Sequence, residues 1–187
     1  MWLAKCVIPE CNVDSCLFNV LLHFGKDGVN HTKGNATVVK KVKEKFDNLF
    51  CVAIIDKDRR DIDFITNECV RIELEGVNDY FRFFKRNEKP HYFIQVVPAI
   101  EQWIMKVCEE LGIDLAETSV AVLTIEELKK VSKSTLSKHD ERFVSLFKEI
   151  LKRAEELNYL PLLKMQRIIK YLLEKQYNAD INEIQNV

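Results

Sequence analysis

Short continuous apolar runs near the start of the chain are each followed by acidic residues. One run extends from Phe50 to Ile55 and leads into Asp56-Lys57-Asp58. An earlier run, Leu3 to Pro9, leads into Glu10. Continuous apolar runs of this length are typical of strands that are covered on both faces, as in parallel sheets. The pattern therefore predicts two parallel strands that both end in acidic residues.

The spacing of apolar residues between these two strands is typical of helices. Ser15 to Phe24 and Thr37 to Phe46 each carry their apolar residues three or four positions apart. A polar stretch, Lys26 to Asn35, forms a predicted loop between them. Because the first helix begins near Asp14, we expect Asp14 or Ser15 to cap its free backbone amides, and a catalytic role for Asp14 is the alternative.

Two more strands and a helix are predicted in the middle of the chain. Tyr80 to Phe84 and His91 to Val97 have strand-like composition, and Pro90 between them predicts a hairpin turn. Pro98 then opens a helix, a position that proline favours. The predicted core face of that helix consists of Ile100, Trp103, Ile104, Val107 and Leu111.

Beyond Gly112 the pattern is mainly helical. Val120 to Leu123 is a candidate for a short strand, and the next residues, Thr124 and Glu127, have the spacing of a capping box. Two long helices, at about 139–157 and 161–176, are predicted to pair as a hairpin.

The predicted fold class is α/β, with an open, mostly parallel sheet flanked by helices. Residues 1–115 form the predicted core. Residues 116–187 form a mainly helical extension that either packs on this core or provides a contact for a protein partner or a homodimer.

The composition is that of an ordinary folded protein. The chain has 187 residues, of which 47% are hydrophobic and 30% are charged, enough for one substantial core or two small domains. No apolar stretch approaches the roughly 18 residues that span a bilayer, and the N-terminus lacks the pattern of a secretion signal. A cytoplasmic location without membrane contact is therefore predicted.

The six cysteines lie mostly within apolar segments and form no Cys-x-x-Cys pair. This pattern favours reduced core residues over a disulfide scaffold. Cys11 is the exception because it follows Glu10, and a reactive thiol is the alternative there. The formal net charge of −1 argues against a general nucleic-acid coat, but it is compatible with a nuclease whose cations lie on one rim.

The acidic residues at the strand ends carry the candidate chemistry. If the two strands are neighbours, Glu10, Asp56 and Asp58 meet at one edge of the sheet, where open α/β folds bind their ligands. Two carboxylates about 4 Å apart repel by roughly 4 kcal/mol at an effective dielectric near 20. A hard divalent cation with oxygen ligands removes that repulsion, so the pattern suggests a metal site.

These motifs resemble the Toprim domain of topoisomerases, primases and small nucleases. Glu10-Cys11-Asn12-Val13-Asp14 is followed, 46 residues after Glu10 (56 minus 10), by Asp56-Lys57-Asp58. The resemblance covers about residues 1–112. It implies that Glu10 transfers a proton or bridges metal ions, and that Asp56 and Asp58 hold Mg²⁺ (or Mn²⁺). Cys11 departs from the family pattern, which has glycine at this position and lets the backbone approach closely.

Toprim-like nucleases similar to the overcoming-lysogenization-defect proteins carry a further acidic metal ligand after the core strands. By this resemblance Glu101 is a candidate fourth ligand. The alternative is that a glutamate near a helix N-terminus is simply favoured by the helix dipole.

Basic residues near the acidic motifs are candidates for substrate phosphate contacts: Lys33, Arg59, Arg60 and Lys133. The alternative for the lysines is a solvated surface, and for the arginines it is charge balance beside acids.

The sequence thus predicts a Mg²⁺-dependent phosphodiesterase, most plausibly a nuclease acting on nucleic acid. The alternative is a non-catalytic protein that binds a nucleotide or a partner, for example a subunit working beside an ATPase. DNA and RNA substrates are both open.

Overall fold

A computed structural model describes residues 5–25, 28–57 and 62–186 of the chain. Its strands form one five-stranded sheet in the order β1-β2-β5-β4-β3. The strands are β1 (Val7–Pro9), β2 (Cys51–Asp56), β3 (Cys69–Ile72), β4 (Phe81–Arg86) and β5 (His91–Val96).

The central strands are parallel. Strand β2 lies between β1 and β5 and is parallel to both, whereas β4 pairs antiparallel with β5 and with β3. Four of the five described strands therefore run in one direction. The prediction of an α/β fold with a mostly parallel sheet is confirmed, and a Toprim fold in particular stays a prediction. The predicted hairpin through Pro90 joins β4 to β5.

Helices cover the sheet and extend beyond it. They are α1 (Asn12–Leu21), α2 (Asn35–Lys45), α3 (Asp63–Glu68), α4 (Ile100–Leu111), α5 (Ile125–Lys133), α6 (Glu141–Glu156), α7 (Leu160–Lys175) and α8 (Ile181–Asn186). None of the helices in these ranges is both long and apolar enough to cross a membrane.

Two details of the strand prediction were wrong. Strand β3 was missed because it is an edge strand whose middle residues, Val70 and Arg71, are exposed, so it has no apolar run. The segment Val120 to Leu123 is not a strand. Val120 and Val122 are buried and imitate strand alternation, but Ala121 has a positive φ of 49°, which breaks extended backbone.

The helix predictions hold with small shifts of their ends. Helix α4 buries the predicted face together with Cys108. The capping box of Thr124 and Glu127 is present at the start of α5. Helices α6 and α7 pack against each other, and α6 also packs on α1 and α4. Thus the C-terminal helices cover the core within one chain, while a homodimer contact stays a prediction.

Candidate functional site

The ends of β1 and β2 bring Glu10 and Asp56 together. Pro9 is in register with Ile54 of the neighbouring strand, so Glu10 emerges beside the end of β2. The backbone N–H of Asp56 donates a hydrogen bond of 3.0 Å to Oε2 of Glu10. The structure therefore places these two predicted site residues at the same edge of the sheet.

The third parallel strand, β5, adds the start of helix α4 to this edge. Asp56 is in register with Val96, and the chain turns through Pro98 into α4. The backbone N–H of Ile100, the first residue of α4, donates a hydrogen bond of 3.2 Å to Oδ1 of Asp56. The Asp56 carboxylate thus lies at a helix N-terminus, where the helix dipole favours negative charge.

Asp14 is fully buried beside these groups and does not cap its helix. Helix α1 starts at Asn12, and its N-cap is Cys11, whose Sγ accepts a hydrogen bond of 3.3 Å from the backbone N–H of Asp14. Within the described part of the chain, neither carboxylate oxygen of Asp14 has a hydrogen-bond partner. The prediction that Asp14 or Ser15 caps this helix was wrong, because the helix begins three residues before Ser15 (15 minus 12).

Glu101 lies in the first turn of α4 and is held by a residue from a distant part of the chain. Its Oε1 accepts a hydrogen bond of 2.5 Å from Oγ of Ser132 in α5. The side chain is partly buried. Sequence reasoning missed Ser132, since no local pattern indicates a contact across 31 positions.

The four acids form one electrostatic group, which we call the acidic cluster: Glu10, Asp14, Asp56 and Glu101. Burial raises the pKa of Asp56 well above its ordinary value, and repulsion from Asp14, Glu10 and Glu101 adds to the rise. Burial likewise raises the pKa of Asp14, with further contributions from Glu10 and Glu101 and a partial offset from Cys11. The negative charges of these buried and partly buried acids therefore repel one another.

The loop before α2 supports the cluster from the outer edge of β1. The backbone N–H groups of Asn30, Thr32 and Gly34 donate to the carbonyls of Val7, Pro9 and Glu10 in turn. Asn35 then donates from Nδ2 to the Asp56 carbonyl at 3.2 Å. Asn35 is a further site residue that sequence reasoning missed.

The predicted phosphate-binding residues lie near the cluster only in part. Lys33 is exposed and belongs to the loop between α1 and α2, next to Gly34. Lys133 is exposed and adjoins Ser132, which contacts Glu101. Asp58, Arg59 and Arg60 lie outside the described residues.

The fit of the acidic cluster to a divalent metal depends on two observations. Carboxylate oxygens are the ligands that Mg²⁺ and Mn²⁺ prefer, and the buried oxygens of Asp14 accept no hydrogen bond from the described residues. However, in residues 5–25, 28–57 and 62–186, no three side chains of Asp, Glu, His or Cys are grouped so that they could hold a metal ion. The donor type fits a divalent cation, and Asp58, the remaining predicted ligand, lies outside the described residues.

Cys11 contributes structure and is expected to be unreactive. Burial raises the pKa of its thiol, and the charge of Asp14 adds to the rise. Because the thiolate is the reactive form, Cys11 should resist iodoacetamide at neutral pH in the folded protein.

Cys11→Ser should keep the cap and stabilise the fold by up to about 1 kcal/mol, since oxygen accepts hydrogen bonds better than sulfur. Mass spectrometry after labelling measures the reactivity of Cys11, and thermal unfolding measures the stability of Cys11→Ser. Rapid labelling of Cys11 would restore the reactive-thiol alternative.

The stability of the metal-free protein should fall as the pH rises from about 7 to about 9. The pKa of Asp56 is higher in the folded state than in the unfolded state, so the folded state binds more protons in this window. Stability is therefore lost as Asp56 ionises. This pH range lies above the titration of His31 and His91 in the folded state, because burial lowers the pKa of both side chains. Thermal unfolding at several pH values in EDTA measures the slope.

The matched variant for this pH series is Asp56→Asn, which cannot ionise at this position. The variant should show a smaller loss of stability over the same range, while cysteines that ionise in the unfolded state affect both proteins equally. Equal slopes for the two proteins would contradict a strained Asp56 carboxylate.

Comparisons with protein-family models, with curated proteins and with solved structures find no match to this chain. The Toprim resemblance of the two motifs therefore stays a prediction.

Proposed function

We propose that this protein is a phosphodiesterase, most plausibly a nuclease, that depends on Mg²⁺ or Mn²⁺ and acts on nucleic acid at the acidic cluster. The observation that carries the proposal is the fully buried Asp14, whose carboxylate has no hydrogen-bond partner in the described residues and which is repelled by Glu10 and Glu101. A buried carboxylate without a partner lowers the free energy of unfolding by roughly several kcal/mol unless it is protonated or a cation binds it. A divalent ion bound at the acidic cluster is the partner that we propose for this carboxylate.

Each acidic residue has a distinct proposed role. Asp56, Asp58 and Glu101 would hold the ion, which when bound polarises the phosphodiester and lowers the pKa of a water molecule. Glu10 lies against the Asp56 backbone and would transfer the proton between the attacking water or leaving oxygen and solvent. The fully buried Asp14 would support the ion from below the cluster.

Basic residues on the rim would neutralise the substrate phosphate. Lys33 lies in the loop before α2, next to Gly34, whose N–H donates to the Glu10 carbonyl, and Lys133 adjoins the serine that holds Glu101. Arg59 and Arg60 follow Asp58 in sequence and are proposed for the same role. The formal net charge of −1 makes such local cations necessary for binding a polyanion.

The direct test is cleavage by the purified chain in Mg²⁺ or Mn²⁺. Substrates are single-stranded, duplex and structured DNA and RNA. Cleavage should appear with metal, disappear in EDTA and be lost in Glu10→Gln, which keeps a hydrogen-bond acceptor for the Asp56 amide but cannot transfer the proton. Equal cleavage by wild type and Glu10→Gln would indicate contamination and reject the assignment.

A non-catalytic nucleotide-binding or partner-binding protein is the second candidate. It is favoured by the finding that no three metal-binding side chains of the described ranges are grouped to hold an ion. Metal-dependent stability separates the two. Mg²⁺ at about ten times its dissociation constant should stabilise a true metal site by roughly 1.4 kcal/mol. No shift with Mg²⁺ or Mn²⁺ would favour the second candidate.

A further inference from the structure

A pocket lies on one face of the sheet, over strands β3, β4 and β5. Its volume is about 250 Å³. Apolar side chains form part of its wall, and two basic side chains and one amide supply polar groups. These lining residues include Ile62, Ile65, Phe84, Arg71, Arg82 and Gln95.

Arg82 and Gln95 supply polar groups to this pocket from neighbouring strands. They are directly opposite each other on β4 and β5, so their side chains leave the same face of the sheet. Nε of Arg82 is buried, and within the described ranges it has no hydrogen-bond partner. Gln95 is only 3% exposed, and it lines the pocket beside Arg82.

Other arginines of the same sheet are paired, which makes Arg82 unusual. Arg71 lines the same pocket, but its Nε lies 3.0 Å from the Glu73 carboxylate. Arg86 at the far end of β4 lies 2.8 Å from the Glu68 carboxylate. The neighbouring guanidinium groups are therefore neutralised, whereas that of Arg82 forms no ion pair with the residues that the structure describes.

The chemistry of this pair selects an anion with several oxygens. A guanidinium group offers a planar fork of donors that matches phosphate, and the amide of Gln95 offers two more N–H donors on the same side. Apolar walls lower the local dielectric and strengthen such bonds. Nε of Arg82 is buried and has no hydrogen-bond partner in the described ranges, which disfavours the empty state, so a phosphate group gains more here than on an open surface.

The pocket is close to the acidic cluster but separate from it. Asp56 on β2 is in register with Val96 on β5, the residue after Gln95. Arg82 lies on β4, the next strand beyond β5. The strands that carry Asp56 and Arg82 are therefore two strand spacings apart, which is about 10 Å. Because successive side chains alternate, Gln95 and Asp56 point to opposite faces of this edge.

We propose that the pocket formed by Arg82 and Gln95 is a phosphate-binding site, distinct from the acidic cluster. The phosphate belongs either to a nucleic-acid strand that also reaches the acidic cluster or to a free nucleotide. Binding at this site does not require a metal or cleavage, so it can be tested whether or not the protein is a nuclease.

The test is equilibrium binding in EDTA with three probes: inorganic phosphate, adenosine 5′-monophosphate with adenosine as its unphosphorylated partner, and a short single-stranded oligonucleotide with or without a 5′-phosphate. The wild type should bind phosphorylated probes more tightly than their partners. Arg82→Met should weaken that binding about tenfold or more, because it removes charge-assisted bonds. Tighter binding of the phosphorylated oligonucleotide than of adenosine 5′-monophosphate identifies a nucleic-acid strand as the source of the phosphate. Equal binding of these two probes identifies a free nucleotide.

The control is Arg167→Met, which makes the same charge change at an exposed position on α7. It should bind all probes as the wild type does. Arg82→Met should fold, because Arg82 loses no ion pair. Should it unfold, Arg82→Lys keeps the charge but lacks the fork, and it should still weaken phosphate binding. The proposal is overturned if wild type binds no phosphorylated probe at millimolar concentration, or if the folded Arg82 variant binds as tightly as wild type.

Discussion

Asp56→Asn is expected to reduce metal-dependent cleavage about a thousandfold, which corresponds to a loss of roughly 4 kcal/mol of transition-state stabilisation. The same substitution should leave the metal-free protein as stable as wild type or more stable. These opposite effects follow from one cause, because the charge that would hold a cation repels its neighbours when the cation is absent.

The stability effect has a specific structural basis. The pKa of Asp56 is raised by burial and by repulsion from Asp14 and Glu10, so ionised Asp56 weakens the fold. Asparagine keeps an oxygen that can accept the hydrogen bond from the backbone N–H of Ile100. Its amide can also donate toward a neighbouring acid. A gain of about 1 kcal/mol or more is expected above neutral pH, since each unit of pKa shift corresponds to about 1.4 kcal/mol.

Two measurements on the same preparations test this pair of effects. Cleavage is assayed in Mn²⁺ on the best substrate, and unfolding is followed in urea with EDTA. Asp79→Asn, which makes the same chemical change at an exposed position, should alter neither quantity. A loss of several kcal/mol in Asp56→Asn would identify a structural carboxylate and remove the basis of the metal proposal.

Asp14→Asn is expected to stabilise the metal-free protein by about 1 kcal/mol or more and to lower cleavage about a hundredfold. The side chain is fully buried, and in the described chain its oxygens accept no hydrogen bond. Replacing an unpaired carboxylate by an amide of the same shape removes a charge that burial disfavours. If a cation binds the cluster, the loss of this charge weakens its binding.

The matched control is Asp140→Asn at the start of α6. Asp140 is a true N-cap, because its Oδ1 accepts a hydrogen bond from the backbone N–H of Arg142 and its carboxylate pairs with the Arg142 side chain. This variant should gain no stability and lose at most about 1 kcal/mol. A destabilised Asp14→Asn protein with unchanged cleavage would show that Asp14 has only a structural role.

Local patterns predicted most of the fold because they depend on a few neighbouring residues. The apolar run that ends at Ile55 became the buried centre of the sheet. The helical spacing after Pro98 placed Trp103 and its neighbours in the core. The failures lie where the local signal misleads, as at edge strand β3 and at Ala121, whose backbone conformation interrupts an apparent strand.

The candidate site was predicted in part. The position of Glu10 and Asp56 at strand ends predicted their proximity, and the structure places them in contact. The contact between Ser132 and Glu101 joins residues 31 positions apart, and no residue pattern specifies it. The helix cap at Cys11 was assigned to Asp14 or Ser15 because serine and aspartate are far commoner at N-caps than cysteine.

The sequence by itself determined where strands and helices form and which strands end in acids, because apolar periodicity and strand length are local properties of the chain. Only the tertiary structure decided that β1, β2 and β5 are neighbours, that the buried Asp14 carboxylate accepts no hydrogen bond from the described residues, and that Arg82 lies opposite Gln95. Strand order and side-chain partners depend on contacts between distant segments. Their free energy is shared over the whole core, so no single stretch of sequence encodes them.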